Sequence, residues 1–161
     1  MSEQTTALVW MDDLDGDVCW RLMAGQPVGR VGFVWDGQPK VLPVNHAVDE
    51  ETIVVRTAHG TMLGGLDSDQ IVAFEVDGAD NAAETGWSVL VEGRTVEVTT
   101  PREMDRLSGI TLLPWAPGER DHWLRIMPTS VTGRAISRRR STPRGPLLPY
   151  LPPDQDPRPV G

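Results

Sequence analysis

A two-residue turn, Asp36-Gly37, constrains the fold of this chain more than any other short feature. It separates two apolar runs, Val28–Trp35 and Gln38–Val48, and Asp-Gly in this setting is a strong short-range signal for a β-hairpin. Pro43 lies inside the second run. Because proline donates no ladder hydrogen bond, it predicts an edge, a bulge or an irregular segment there.

Other segments extend the strand pattern. Strands are predicted by four more runs: Ile53–Val55, Gln70–Val76, Gly86–Val98 with a bulge at Gly93, and Trp123–Thr132. Residues 1–11 are expected to be a loose lead-in, and Asp77–Thr85 is expected to be an acidic loop. The pattern predicts six or seven mostly antiparallel strands in a barrel or sheet that is mainly β.

Two or three short helices accompany these strands. Leu14, Val18 and Leu22 recur at helical spacing and predict a first helix. Asp12 or Asp13 is its expected N-cap, and Gly25 with Pro27 is expected to end it. Pro101 suits the first helical position of a helix over Arg102–Leu107. Met62–Leu66 is predicted to form a third, short helix.

Composition limits the classes of function. The chain has 161 residues and a net charge of −8, of which residues 1–133 carry −12. An acidic body disfavours nucleic acid as a partner. No apolar run is long enough for a transmembrane helix, and the N-terminus does not resemble a signal peptide. The single Cys19 fits a reducing compartment, so we expect a cytoplasmic protein.

The end of the chain differs from the body. Residues 137–161 include Arg138-Arg139-Arg140 and a proline-rich run, which predicts extended or disordered polypeptide. The expected domain organisation is therefore one domain over residues 1–136 and an Arg/Pro-rich tail. The tail is interpreted as solvated, or as a segment that contacts a partner subunit or an acidic molecule.

The stretch from Thr52 to Leu66 suits an anion. Arg56 supplies forked donors, Thr57 and Thr61 supply hydroxyls, and Gly60 permits close backbone approach. A helix N-terminus after such a turn would add free N–H groups. The alternative is an ordinary strand-to-helix connection whose arginine makes a surface ion pair.

The sequence contains no motif for a nucleophile or for a metal. The histidines, His46, His59 and His122, have no cysteine partners at zinc-binding spacing. There is no Walker A, G-x-S-x-G or G-x-G-x-x-G motif. Six tryptophans remain, several beside glycine or proline; these either stack on a flat aromatic ligand or pack in the core.

Short motifs follow one another in a characteristic order from about Asp12 to Ile136. They are Cys19-Trp20, Pro27–Arg30, Pro43–His46 with Val48-Asp49, Arg56-Thr57 with Gly60-Thr61, Ala73–Asp77, Gly86–Val89, Val91–Gly93, Pro114–Gly118, Trp123–Ile126 and Val131–Arg134. In their order and spacing, these motifs resemble those of the pyridoxamine 5′-phosphate oxidase-like family of flavin-binding split barrels, specifically its small bacterial members.

This resemblance implies a split β-barrel homodimer with a flavin, usually FMN, in two equivalent clefts between the subunits. It implies that the phosphate is held by Arg56, Thr57, Gly60 and Thr61, with Met62 in the same loop. It also implies a ring lined by Pro43, Val44 and Asn45, with Trp87 and Ser88 nearby and Trp115 and Trp123 contributed by the partner chain.

One position departs from the family pattern. Many relatives carry Lys or Arg just after the hydroxyl at Thr61, whereas this chain has Met62 and Leu63. The loss of one charge-assisted hydrogen bond, worth about 1.5–3 kcal/mol, would weaken FMN binding. The alternatives are therefore FAD, the deazaflavin F420 or no flavin at all. Arg30 and Arg94 are candidate substitutes for the missing cation.

Three functions follow from this interpretation. The first is a flavin-dependent oxidoreductase acting on a small molecule of unknown identity, in which the flavin carries the hydride; an F420-dependent reductase is a variant of it. The second is a non-catalytic protein that sequesters or carries a flavin or another planar ligand. The third is an interaction protein that uses its Arg/Pro-rich tail.

Overall fold

The computed structural model describes residues 8–58, 61, 63, 64, 66, 68–110, 112 and 122–139. Within these ranges the chain forms seven strands and two helices. Their bounds are β1 Leu8–Asp13, α1 Gly16–Ala24, β2 Val28–Trp35, β3 Gln38–Asp49, β4 Thr52–Thr57, β5 Ile71–Asp80, β6 Thr85–Val98, α2 Pro101–Ser108 and β7 His122–Arg139.

The strands form one antiparallel sheet that closes on itself. The order is β1-β7-β4-β3-β2-β5-β6, and β6 also pairs with β7. Six strands therefore form a ring, and β1 adds to the C-terminal half of β7 outside it. This arrangement confirms the prediction of a mainly antiparallel β-barrel with short helices.

The β2–β3 hairpin forms as the Asp-Gly signal predicts. Asp36 and Gly37 have φ values of 49° and 68°, and the strands pair from Trp35 opposite Gln38 onward. Both positive φ values match the primed turn that joins tightly twisted strands. Pro43 lies opposite Arg30 of β2, whereas pairing with β4 begins only at His46. Pro43 is therefore in an edge portion of β3, as predicted.

The interior of the ring holds the main hydrophobic core. Val31, Phe74, Val89 and Ile126 are among its fully covered side chains. Helix α1 packs against this core through Cys19, Leu22 and Met23, which confirms the predicted amphipathic helix. It begins at Gly16 rather than Asp12, because Asp12 and Asp13 pair with β7. Asp15 is the N-cap residue, without a side-chain cap hydrogen bond.

A second, smaller core lies on the outer face of the sheet. Leu107 of α2 packs there against Val54, Val98 and Trp123. The helix begins with Pro101 after the N-cap residue Thr100, as the sequence predicts. Neither described helix is long and apolar enough to cross a membrane.

Two strand predictions are corrected by long-range pairing. The expected lead-in contains β1, whose Leu8 pairs with Arg139. The expected loop after Val76 is largely strand, because Asp77–Asp80 pair with Thr85–Ser88. Gly78 permits this pairing, since a Cβ there would lie 2.6 Å from the Trp87 indole nitrogen.

The bulge and the third helix that the sequence predicts have different outcomes. The predicted bulge is confirmed by a register shift between Glu92 and Gly93. The predicted helix after Thr61 is wrong for the residues described, because Leu63 and Gly64 form a turn.

Residues 140–161, which hold most of the predicted tail, lie outside the described residues, and β7 continues to Arg139. The domain boundary near residue 136 stays a prediction.

Candidate functional site

Arg56 lies on the outer face of β4 above a tryptophan. It is opposite Trp123 of β7, and the guanidinium carbon is 5.3 Å from the centroid of the indole ring. Trp123 is 3% exposed, so its ring is held by packing and offers one face to the cation. A guanidinium stacked in this way is oriented by the cation–π attraction. The contact occurs within one chain, whereas the family resemblance implied that Trp123 comes from the partner.

Asn45 belongs to the same row of the outer face. Pairing of β3 with β4 ends at His46 opposite Val55, so Asn45 and Arg56 take the next position on their strands. The Asn45 amide donates a hydrogen bond to the Pro27 carbonyl over 3.2 Å, which fixes its orientation. Arg56 and Trp123 thus lie opposite each other, and Asn45 lies one position beyond the last β3–β4 pair; we call these three residues, all predicted from sequence, the Arg56 row.

The loop after β4 is wound tightly around a hydroxyl. Thr61 Oγ1 donates to the Ala58 carbonyl at 2.8 Å and accepts from the Gly64 N–H at 3.0 Å. The Thr57 hydroxyl lies 3.0 Å from the same atom. A Cβ on Gly64 would be 2.3 Å from the Ala58 carbonyl oxygen. These contacts use the Thr61 hydroxyl to order the loop.

Adjacent residues of β4 point to opposite faces, which separates part of the predicted phosphate site. Arg56 is on the outer face, whereas Thr57 faces inward and is 4% exposed. Gly60 and Met62, also predicted for this site, lie outside the described residues. Of these two strand residues, Arg56 is therefore the one that can contact a ligand on the outer face.

The remaining predicted ring contacts are dispersed in one protomer. Pro43 is exposed on the outer face of β3 and Val44 points to the other face. Trp87 is 6% exposed inside the barrel, while Ser88 is exposed on the outside. Ser88 is ten residues along β6 from Val98, the neighbour of Trp123, roughly 30 Å at the rise of a β-strand. Trp115 lies outside the described residues.

The sequence did not predict an ion-pair network beside the Arg56 row. We call it the clasp; its members are Asp49, Thr52, Glu103, Arg106 and Arg125. Arg106 binds both carboxylate oxygens of Asp49 at 2.8 Å. Arg125 contacts Asp49 at 2.7 Å and Glu103 at 2.8 Å, and it donates to the Thr52 hydroxyl.

Two charged residues of the clasp, Asp49 and Arg125, are buried, so each needs the opposite charge of its partners to be stabilised. Asp49 is 8% exposed and Arg125 is 9% exposed. The two hydrogen bonds from Arg106, and those from Arg125, lower the pKa of Asp49 to about 2 against an opposing effect of burial. The Asp49 contact in turn raises the pKa of Arg106. The only sequence signal was an arginine inside the apolar run of β7.

The two described histidines, His46 and His122, make structural contacts. His46 is buried, its Nε2 lies 3.0 Å from the Met23 carbonyl, and burial lowers its pKa. His122 lies 3.4 Å from the Glu97 carboxylate. Within the described ranges no three His, Cys, Asp or Glu side chains converge as metal ligands. The Arg56 row can thus bind and orient an anion, and it offers no nucleophile among its described members.

A comparison with known protein families shows which family this chain belongs to. Residues 15–135 match the family model of pyridoxamine 5′-phosphate oxidase, which is more than half of the chain. The chain belongs to the pyridoxamine 5′-phosphate oxidase family. Membership confirms the resemblance inferred from the order of its motifs.

Two similar proteins come from mycobacteria. The chain is 35% identical over 136 residues to the Mycobacterium tuberculosis protein Rv0080, covering 81% of this chain and 89% of the relative. It is 33% identical to an FAD binding protein from Mycobacterium smegmatis, with a TM-score of 0.67 and coverage of 78% and 98%.

A second solved structure of similar fold comes from Mesorhizobium loti. The FAD-binding protein of Mesorhizobium loti is 25% identical, with a TM-score of 0.63, and the match covers 82% of this chain and 99% of that one. The pyridoxamine 5′-phosphate oxidase fold is therefore present over nearly the full length of both neighbours.

Proposed function

We propose that this chain binds a flavin on the Arg56 row and acts as a flavin-dependent oxidoreductase on a small molecule. The observation that carries the proposal is the Arg56 guanidinium fixed 5.3 Å above Trp123 on the outer face. This geometry presents a delocalised cation with forked donors, which is the group that best recognises phosphate. The two FAD-binding neighbours support a flavin as the ligand.

The charge of the site favours FAD among the flavins. The FMN phosphate is a monoester that concentrates about −1.5 to −2 charges on one group near neutral pH. FAD spreads its charge over two phosphates. Here the positions after Thr61 are Met62 and Leu63 instead of a cation, and the Thr61 hydroxyl already bonds the Ala58 carbonyl. A single guanidinium therefore suits a diffuse diphosphate better than a concentrated monoester.

The same reasoning ranks F420 below FAD. The oligoglutamate tail of F420 would approach a body that carries a strong excess of acids over bases. Like charges at close range oppose binding. FAD is the cofactor we propose, with FMN and F420 as the comparison ligands.

In this site the protein binds and orients the flavin, and the bound flavin supplies the electron transfer. Arg56 holds the anionic end, Trp123 fixes the plane of the guanidinium, and Asn45 holds its amide in the same row. A catalytic residue is not required for hydride transfer to a flavin. This agrees with the absence of a nucleophile or acid–base motif in the sequence.

A second candidate is FAD carriage without turnover. It is favoured by the names of the two neighbouring structures, which record FAD binding and no reaction. Titration of the purified protein with FAD, FMN and F420 tests binding and should give the lowest Kd for FAD. Bleaching of the bound flavin by NADPH, and reoxidation by an acceptor, would support an oxidoreductase. A bound flavin that none of the tested donors reduces would support carriage, and failure to bind any flavin would contradict both.

We also propose that the protein is a homodimer. Val34, Val41 and Ile71 lie on the outer face of β2, β3 and β5 and are 56%, 66% and 67% exposed. Gly32 lies between them, opposite both Val41 and Ala73, so this patch is flat as well as apolar. Exposed contiguous apolar surface of this kind marks protein interfaces, and the two-fold family architecture supports a second copy as the occupant.

Adding charge to this patch is expected to give a monomer. The double variant Val41→Asp, Ile71→Asp should sediment at half the wild-type mass, because two carboxylates would be desolvated in each half of the interface. Val9→Asp is the control, since Val9 is 68% exposed on β1. A monomeric wild type, or a double variant that remains dimeric, would contradict the assignment.

A further inference from the structure

The clasp joins three strands to one helix. Asp49 comes from the end of β3, Thr52 from the start of β4 and Arg125 from β7, while Glu103 and Arg106 come from α2. The two arginines and two carboxylates balance in charge. Each arginine contacts Asp49, so this carboxylate connects α2 to β3 and β7, and the Glu103–Arg125 pair is a second connection between α2 and β7.

Helix α2 depends on these contacts for its position. It has eight residues, and an isolated helix of this length is unstable in water. Leu107 is its only buried residue. Met104 packs against the same cluster while only partly buried, so the apolar footprint of the helix is small, and the ion pairs of Glu103 and Arg106 add contacts with the sheet.

The helix in turn covers the tryptophan beneath Arg56. Leu107 packs in one cluster with Val54, Val98 and Trp123. Trp123 and Arg125 are two residues apart on the same face of β7, so the strand also connects the clasp directly to the indole. The Arg56 guanidinium lies over that indole. A continuous series of contacts thus runs from Arg106 and Asp49 through α2 and Trp123 to Arg56.

We propose that Arg106 and Asp49 are positioning residues for the anion site: they fix α2 on the sheet, and α2 holds Trp123 in the orientation that presents the Arg56 guanidinium. This rests on the proposed function for the identity of the ligand, FAD. Its structural part concerns the chain alone. Arg106 itself does not touch the Arg56 row; it acts through Asp49, α2 and Trp123.

The variant Arg106→Gln tests this role with little risk to folding, because the Arg106 side chain is 50% exposed and Arg125 still contacts Asp49. The Kd for FAD is expected to rise about fivefold, as for coupled neighbours that share a contact network. Arg106→Lys keeps the charge without the forked geometry and should give an intermediate Kd. Arg102→Gln is the matched control, since it removes the same charge from the same helix outside the clasp.

A double-mutant cycle separates positioning from general loss of structure. In an Arg56→Ala background, Arg106→Gln is expected to leave the remaining FAD affinity unchanged, since the group that it positions is gone. An equal loss in both backgrounds would show that Arg106 only supports the fold, and would overturn the proposal.

Hydrogen–deuterium exchange of the flavin-free protein gives an independent readout. Arg106→Gln should speed exchange in α2 and at the β4–β7 pairing around Arg56 and Trp123, and leave the β2–β3 hairpin unchanged. Unchanged exchange in α2 would overturn the proposal even if FAD binds. If the wild type fails to bind FAD, the proposed function fails, and the exchange pattern alone decides whether the clasp positions Trp123.

Discussion

Replacing Arg56 by alanine is expected to weaken FAD binding by about 1.5–3 kcal/mol, the usual worth of a hydrogen bond to a charged group. The guanidinium is the cation that the outer face presents above Trp123, and alanine removes both its charge and its forked donors. Isothermal titration of wild type and variant at fixed ionic strength measures this difference. Arg56→Lys should recover only part of the loss, because an ammonium lacks the planar fork.

A second surface arginine controls for the general loss of positive charge. Arg94, a candidate from the sequence for the missing cation, also lies on the outer face of the barrel. Its guanidinium binds the carboxylate of Asp69 at 3.1 Å and the Asp69 carbonyl at 3.0 Å, so we expect it not to contact the flavin. Arg94→Ala should leave the Kd for FAD within about twofold of wild type, because exposed charges at a distance are screened by salt. An Arg56→Ala variant that binds FAD as tightly as wild type would remove Arg56 from the site.

Replacing Asp49 by asparagine is expected to lower the free energy of unfolding at pH 7 by about 3 kcal/mol. Loss of one partner from a buried ion pair leaves an uncompensated charge and typically costs about 3–5 kcal/mol; here the half-exposed Arg106 can be solvated, which places the effect at the lower end. Urea unfolding followed by tryptophan fluorescence measures it. Asp36→Asn is the control, since Asp36 is an exposed turn residue whose left-handed conformation asparagine also adopts.

The pH dependence of this difference has a definite sign. The folded-state pKa of Asp49 is about 2, below its ordinary value near 3.9. The stabilisation is therefore complete above about pH 5 and is lost as the pH falls through 4 towards 2. The stability difference between wild type and Asp49→Asn should shrink over this interval. A difference that stays constant down to pH 2 would show that the charge of Asp49 does not stabilise the fold.

Local signals in the sequence predicted local structure well. Asp36-Gly37 specified its hairpin because both residues tolerate positive φ, and Pro101 marked the start of α2 because its missing N–H is not needed there. The Gly93 bulge was likewise visible as a glycine inside a strand. In each case the residue that determined the structure lies within a few positions of the structure itself.

Features that depend on distant pairing were missed. The β1 strand is stabilised by the last residues of β7, and no turn signal near Val9 indicates it. The clasp brings together side chains from β3, β4, β7 and α2, which no local pattern connects. Arg56 and Trp123 were each predicted as cofactor contacts, but their mutual stacking depends on β4–β7 pairing. Sequence therefore identified candidate members of the site and not its arrangement.

The length of β7 has a consequence for how this chain folds. The strand runs from His122 to Arg139 and pairs with β1, β4 and β6, so the ring has no closing partner until β7 is available. Until then three strands keep unsatisfied edges. Long-range pairing of this kind slows folding and exposes nascent chains to association. We expect ring closure to be a late step of folding.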